Sequence, residues 1–89
     1  MKRLKMKITG RVQGVAFRHY AQTKASQNGV KGYVKNMPDG SVEIEAEGDE
    51  KALDGFVSWC HQGPDAARVE DIKVQEIPVK NDKSFNIRY

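Results

Sequence analysis

The pattern of apolar and polar positions divides the chain into strands and helices of ordinary length. Residues 2–10 alternate between apolar and charged side chains, which predicts a strand with one face in the core. In residues 17–28 the apolar positions recur at helical spacing, and Asn28-Gly29 is typical of a helix end. Residues 30–36 then predict a second strand.

A tight turn leads into a second half with a similar layout. Residues 37–40, Met-Pro-Asp-Gly, combine a proline that fixes one backbone dihedral with a glycine that supplies a positive φ. Residues 41–48 alternate again and would pair with the preceding strand as a hairpin. A helix begins after the N-cap Asp49 and ends before Gly63-Pro64. Its apolar stripe is formed by Leu53, Phe56, Val57 and Cys60.

Two further strands, over residues 67–77 and 85–89, complete the chain. The apolar positions of the first change parity between Val69 and Ile72, which predicts either a β-bulge or a later start of the strand. The order β-α-β-β-α-β, with a short extra strand at the end, predicts an α+β ferredoxin-like sandwich. In this fold a four-stranded antiparallel sheet has both helices on one face. The final strand would cover a sheet edge, and either edge is possible.

The other face of the sheet is expected to be solvated. The first and third strands would be antiparallel neighbours, so opposite charges would meet across this face. These charges are Lys5 and Lys7 on the first strand and Glu43, Glu45 and Glu47 on the third. Apolar and aromatic residues outside this face are assigned to packing, namely Phe56, Trp59, Cys60 and Tyr89.

Length and composition limit the possible function classes. The 89 residues, 38% of them hydrophobic and 30% charged, suffice for a single domain with one modest core over residues 1–89. A net charge of +3 is mild for a nucleic-acid binder. The single cysteine, Cys60, excludes an intramolecular disulfide, and metal ligands are not clustered. Without a signal peptide or an apolar span, we expect a cytoplasmic protein, and a monomer because the open face is charged.

The segment Thr9–Arg18 joins the first strand to the first helix through a glycine-containing turn. Such a turn directs several backbone N–H groups at one point, which is how proteins bind anions. Arg18 lies in the first helical turn, where a cation is mildly unfavourable unless an anion lies beside it. Taken alone, Arg18 could equally be a surface residue, and Asn36, just before the next turn, could be a turn former.

Two motifs closely resemble the acylphosphatase family, and the resemblance extends over essentially the whole chain. The first motif is Gly10-x-Val12-Gln13-Gly14-Val15-x-Phe17-Arg18. The second is Gly32-Tyr33-Val34-Lys35-Asn36, followed by Asp39-Gly40-Ser41-Val42-Glu43 and Gly48. A third similarity is Gly63-Pro64 with Ala67-Arg68-Val69. The resemblance implies a ferredoxin-like fold and hydrolysis of acyl phosphates to a carboxylate and inorganic phosphate.

The resemblance also implies the roles of individual residues. Arg18 would hold the phosphoryl group, and Asn36 would orient the attacking water. The phosphate would be bound by the backbone amides of Gln13, Gly14, Val15, Ala16, Phe17 and Arg18.

The chemistry of these residue types agrees with that assignment. Arginine offers paired, planar donors that match phosphate oxygens. Asn36 is neutral and cannot act as a general base, but it can position a water, which suffices for a loose phosphoryl-transfer transition state. Neither motif contains a group suited to form a phosphoenzyme or to protonate a leaving group. The substrate must therefore carry a leaving group that departs unaided, and a carboxylate, with a conjugate-acid pKa of about 4, does so. We expect no metal or cofactor, with inorganic phosphate as product or inhibitor.

Other interpretations compete with an enzyme. A non-catalytic phosphate- or anion-binding module of the same fold would have the same loop, and Asn36 distinguishes the two because a pure binder needs no positioned water. RNA-recognition domains share the element order but stack bases on the open sheet face, where three glutamates would repel RNA. His19 is interpreted as a solvated helix residue. Cys60 and His61 are not a nucleophile pair, because adjacent helical residues point about 100° apart.

Overall fold

A five-stranded sheet and two helices form the computed structural model, which describes residues 1–89. In chain order the elements are β1 (Lys2–Arg11), α1 (Phe17–Gln27), β2 (Lys31–Asn36), β3 (Val42–Gly48), α2 (Glu50–Gln62), β4 (Arg68–Ile77) and β5 (Phe85–Arg88). The strands are arranged in the order β4-β1-β3-β2-β5. The neighbours among β4, β1, β3 and β2 pair antiparallel, and β5 pairs in parallel with β2. This arrangement confirms the ferredoxin-like prediction and identifies the edge that the extra strand covers.

The core lies between the helices and the apolar face of the sheet. Alternate residues of β1 and β3, such as Met6 and Ile44, pack in one cluster with the helical residues Phe17, Leu53 and Phe56. Cys60 belongs to the same buried cluster, as predicted. Burial raises the pKa of its thiol well above the usual range, so Cys60 is not a nucleophile.

Local signals in the sequence form the expected turns and caps. Asp49 caps α2, because its Oδ1 accepts a hydrogen bond from Ala52 N at 2.8 Å. In the turn between β2 and β3, Asp39 Oδ1 accepts bonds from Ser41 Oγ at 2.6 Å and Ser41 N at 2.9 Å. These bonds hold the hairpin, and they lower the pKa of Asp39.

Of the two alternatives for the parity change in β4, the structure shows the β-bulge, where β4 pairs with β1. Thr9 pairs with Asp71 while Gly10 pairs with Val69, so Glu70 is the extra residue. At Gly10 a Cβ atom would lie 2.2 Å from the Arg68 carbonyl oxygen, so only glycine allows the strands to approach this closely. The bulge lies next to the segment that leads into α1.

The expectation of a fully solvated sheet face is wrong at one end. Arg3, Glu45 and Glu47 are 1%, 6% and 0% exposed. The reason is the connection between β4 and β5, residues 78–84, which folds across this end of the face. The Lys80 backbone N–H donates to Glu47 Oε1 at 2.7 Å, and Asp82 Oδ2 lies 2.9 Å from Arg3 Nη1. We call residues 78–84 the strap.

The rest of this face keeps partly exposed ion pairs. Lys5 Nζ lies 3.7 Å from Glu43 Oε1, and Lys7 Nζ lies 3.0 Å from Asp39 Oδ2. The expected attraction between the first and third strands is therefore present at Lys5, while Lys7 reaches beyond the strand to the turn.

The predicted packing of aromatic residues is only partly correct. Phe56 is fully buried and Trp59 is half-buried against it, with ring centroids 6.3 Å apart. Tyr89 is 92% exposed and is therefore not a core residue. Because β5 ends at Arg88, Tyr89 extends beyond the sheet.

Candidate active site

The loop between β1 and α1 has the backbone conformation of an anion site. Gly14 and Ala16 have φ values of 72° and 60°, both in the left-handed region. For alanine this conformation costs roughly 1 kcal/mol, and such strain is typical of binding sites. Ala16 is also the N-cap of α1, and it makes no side-chain cap hydrogen bond. The first turn of α1 has no acidic residue, so its backbone N–H groups can bind an anion.

Buried side chains hold this loop against the core. Val12, Val15 and Phe17 alternate with more exposed residues and are 1%, 9% and 2% exposed. The Phe17 ring packs against Trp59, with centroids 5.4 Å apart. The loop is thus anchored on one side, while Gly14, Ala16 and Arg18 remain on the other.

A small cleft of about 180 Å³ brings the predicted catalytic residues together. Arg18 enters it from α1 and Asn36 from the end of β2. Of the six residues predicted to bind phosphate through their amides, four line the cleft: Gly14, Ala16, Phe17 and Arg18. The individual amide contacts with phosphate stay predictions. His19 also lines the cleft, on the exposed side of the helix.

The side-chain oxygen of Asn36 is an unpaired acceptor. Asn36 Oδ1 is buried and has no hydrogen-bond partner in the protein. Leaving a buried acceptor unpaired costs about 1–3 kcal/mol, so such groups usually serve a ligand or a water. Asn36 pairs with Val42 in the hairpin, so its backbone is held while its amide faces the cleft.

Arg18 is oriented by the last residues of the chain. Its Nη1 donates to the Arg88 carbonyl oxygen at 3.3 Å, and its guanidinium carbon lies 4.7 Å from the centroid of the Tyr89 ring. A cation over an aromatic face is attracted by the ring quadrupole. Stacking and one hydrogen bond limit the directions that the guanidinium can take, and its remaining N–H groups can bind an anion.

The contribution of β5 to the site was missed in the sequence. Ile87 and Tyr89 line the cleft, and Arg88 contacts Arg18. The alternation of residues 85–89 predicted a strand but not its partner. The parallel register, in which Lys35 pairs with Arg88, brings Tyr89 to the same end of the sheet as Asn36. No pattern in the sequence indicates that β5 contributes to the cleft, because this depends on the pairing of β5 with β2.

Gln13 links the loop to the hairpin that carries Asn36. Its Nε2 donates to the carbonyl oxygens of Met37 at 2.8 Å and Ser41 at 2.9 Å. The side chain therefore points inward to the turn between β2 and β3, and Gln13 does not line the cleft. This side chain connects the two halves of the candidate site.

Two wider properties of the chain bear on its chemistry. No group of three or more His, Cys, Asp or Glu side chains is arranged to hold a metal ion. Neither helix has the length and hydrophobicity that a bilayer span requires.

Comparisons with known proteins agree over nearly the whole chain. The family model for Acylphosphatase matches residues 4–87. The chain is 47% identical to an acylphosphatase of Anaeromyxobacter dehalogenans, with 98% of this chain and 95% of the relative covered. It is 48% identical to an acylphosphatase of Thermotoga maritima, with 100% and 99% covered. The crystal structure of acylphosphatase from Bacillus subtilis is 41% identical and superposes over the whole of both chains with a TM-score of 0.97.

Proposed function

The chain belongs to the acylphosphatase family, and we propose that it hydrolyses acyl phosphates through Arg18, Asn36 and the loop amides. The observation that carries this proposal is the cleft shared by Arg18 and the unpaired oxygen of Asn36. The Arg18 guanidinium can donate to a phosphoryl oxygen, and Asn36 Oδ1 can accept from a water. The cleft is small enough for both residues to act on one phosphoryl group.

The phosphoryl group would lie between the loop and Arg18. The N–H groups of residues 13–18 and the guanidinium supply donors that need no reorganisation as charge shifts in the transition state. Arg18 is already held by the Arg88 carbonyl and the Tyr89 ring, so little rotamer freedom is lost on binding.

The attacking water would donate a hydrogen bond to Asn36 Oδ1. The water oxygen forms a bond to phosphorus while the bond from phosphorus to the acyl oxygen breaks. The electron pair of that bond leaves with the carboxylate. One proton of the water stays on the attacking oxygen and the other moves to a phosphoryl oxygen, so the phosphate leaves as H2PO4−. Asn36 takes no proton, so its role is positioning, which suits a loose transition state. The products are a carboxylate and inorganic phosphate.

We further propose a metal-independent monomer that acts in the cytoplasm on small molecules and binds no nucleic acid. The donors in the cleft are an arginine and backbone amides, which supply the positive charge that a metal would bring. The sheet face on which RNA-recognition domains stack bases carries Glu43 and is covered at one end by the strap.

Hydrolysis of benzoyl phosphate by the purified protein, compared with p-nitrophenyl phosphate, tests the proposal. We expect turnover of benzoyl phosphate with and without EDTA, and little of p-nitrophenyl phosphate, because no acid assists the poorer leaving group. Loss of activity in EDTA would reveal a required metal.

Arg18→Ala should lower kcat/KM for benzoyl phosphate at least about a hundredfold, because a donor to the transition state is removed. Arg68→Ala is the matched control, since Arg68 is exposed and lies outside the cleft. If Arg18→Ala retains activity, the role given to Arg18 is wrong.

A further inference from the structure

A second groove, of about 500 Å³, borders the phosphate cleft and shares Ala16 with it. It runs between α1 and the connection from α2 to β4. Ala16 is the point at which the strained loop becomes helix, so any molecule held by the loop amides lies at the entrance of this groove. We call it the acyl groove.

The walls of the acyl groove are apolar and aromatic near the cleft. Ala16, the N-cap of α1, and Tyr20, in its first turn, both line the groove, and Tyr20 N donates a hydrogen bond to the Ala16 carbonyl oxygen at 3.1 Å. Trp59 and Pro64 form the opposite wall. Tyr20 is 48% exposed although its ring is large, so it offers apolar surface to a ligand.

Trp59 is a rigid wall, because Phe17 and Phe56 pack against its ring, with centroids 5.4 Å and 6.3 Å away. Phe17 precedes Arg18, so this aromatic cluster reaches directly from the phosphate cleft to the groove. A flat ring bound beside Trp59 would therefore need little rearrangement of the protein.

The charges in the groove balance. Lys24 and Asp65 line it, one positive and one negative, and its other lining residues are uncharged. The groove thus gives no net attraction to an acyl group that carries its own charge. Its surface is suited to an uncharged and preferably flat group.

We infer that the acyl groove binds the acyl group of the substrate and favours aromatic acyl phosphates over short aliphatic ones. The inference rests on the proposed function, because it takes the phosphoryl group to lie in the cleft. The acyl carbon is joined to phosphorus through one oxygen, so an acyl group that leaves the cleft past Ala16, which lines both cavities, enters the acyl groove. Tyr20 and Trp59 then contact the acyl group and set its preferred class.

The test compares kcat/KM for benzoyl phosphate and acetyl phosphate in the wild type and in Tyr20→Ala. We expect the ratio of the two values to fall about five- to tenfold in the variant, because one aromatic contact to the benzoyl ring is lost. The loss should lie in KM for benzoyl phosphate, since the contact is present before and during the reaction. The different reactivities of the two substrates cancel when the variant is compared with the wild type.

Two matched variants complete the experiment. Tyr20→Phe keeps the ring and should keep the wild-type ratio. Thr23→Ala changes an exposed residue of the same helix that lines neither the cleft nor the groove, and it should also keep the ratio. Thermal unfolding of each variant verifies that the fold is intact.

The outcomes separate this inference from the proposed function. If the wild type hydrolyses both substrates and Tyr20→Ala leaves the ratio unchanged, the proposed role of the acyl groove is overturned while the acylphosphatase function stands. If the wild type hydrolyses neither substrate, the proposed function fails, and this inference fails with it.

Discussion

The side chain of Asn36 distinguishes the proposed enzyme from a non-catalytic phosphate-binding module. Its buried oxygen has no protein partner, although Asn36 is paired with Val42 in the hairpin. An anion does not need this oxygen, because a lone pair directed at phosphate would be repelled. A water does need it, since a water can donate to Asn36 and attack phosphorus at the same time.

Asn36→Ala should therefore reduce kcat much more than it weakens phosphate binding. We expect kcat for benzoyl phosphate to fall roughly a hundredfold, because the water is no longer positioned. The inhibition constant of inorganic phosphate should change by less than about threefold, since Arg18 and the loop remain. Asn36→Asp is the contrast, because a carboxylate there should weaken phosphate binding. Equal losses of kcat and phosphate affinity in Asn36→Ala would favour a non-catalytic phosphate-binding module.

Gln13 acts at the same scale, through its contacts with the backbone. Gln13→Ala removes two hydrogen bonds, to Met37 and Ser41, and should lower the free energy of unfolding by about 1–2 kcal/mol. We also expect kcat to fall, because the loop and the end of β2 lose their link. Urea unfolding and benzoyl phosphate turnover measure the two effects. Gln13→Glu should be worse in both, because it loses the donors and adds a negative charge. Full activity in Gln13→Ala would mean that the loop holds its conformation without this link.

At the scale of elements, the strap covers one end of the open sheet face. It buries a charge cluster in which Arg3 Nε donates to Glu45 Oε1 at 2.9 Å and Arg3 Nη1 lies 3.3 Å from Glu47 Oε1. Tyr33 OH donates to Glu45 Oε2 at 2.9 Å. The strap also leads directly into β5, whose end orients Arg18. The cluster on one face of the sheet therefore helps to hold the strand that completes the site.

Arg3→Met tests how much this charge cluster contributes to the free energy of unfolding. The change leaves Glu45 and Glu47 buried without their main cation, so we expect the free energy of unfolding to fall by about 3–5 kcal/mol. Lys5→Met is the matched control, because the Lys5–Glu43 pair is partly exposed and should contribute less than about 1 kcal/mol. Denaturation in urea measures both. Similar losses in the two variants would show that the strap, and not the ion cluster, stabilises this end of the sheet.

Local rules predicted most elements, and long-range contacts explain what they missed. The hairpin, the Asp49 cap and the bulge opposite Gly10 each depend on a few neighbouring residues, so the sequence indicated them. Glu45 and Glu47 alternate with apolar residues like any solvated strand, and their burial depends on Lys80, 33 residues beyond Glu47.

The residues of the candidate site likewise include some that local patterns predicted and one that depends on a long-range contact. Arg18 and Asn36 were predicted from their motifs, and the structure brings them into one cleft. Tyr89 was assigned to packing because an aromatic residue at the end of an alternating strand usually packs. Its contact with Arg18 depends on the parallel pairing of β2 with β5, which no local pattern specifies.

At the scale of the whole molecule, the buried cluster makes stability depend on pH. Burial alone would raise the pKa of Glu45, but hydrogen bonds from Arg3, Tyr33 and Lys80 outweigh it and lower the pKa to about 2. The ordinary value is 4.5, so the unfolded chain binds this proton at higher pH than the folded chain does. The stabilisation is complete above pH 4.5 and is lost as the pH falls towards 2.

Unfolding measured across pH tests this linkage. The free energy of unfolding should be nearly level from pH 7 to about 5 and should then lose about 3 kcal/mol through Glu45 by pH 2. Glu45→Gln should be less stable at pH 7, because Arg3 loses a charged partner, and its stability should fall less steeply in acid. Glu50→Gln is the control, since Glu50 is exposed and lies 3.7 Å from Lys2, and it should keep the wild-type slope. An unchanged acid slope in Glu45→Gln would mean that other carboxylates carry the pH dependence.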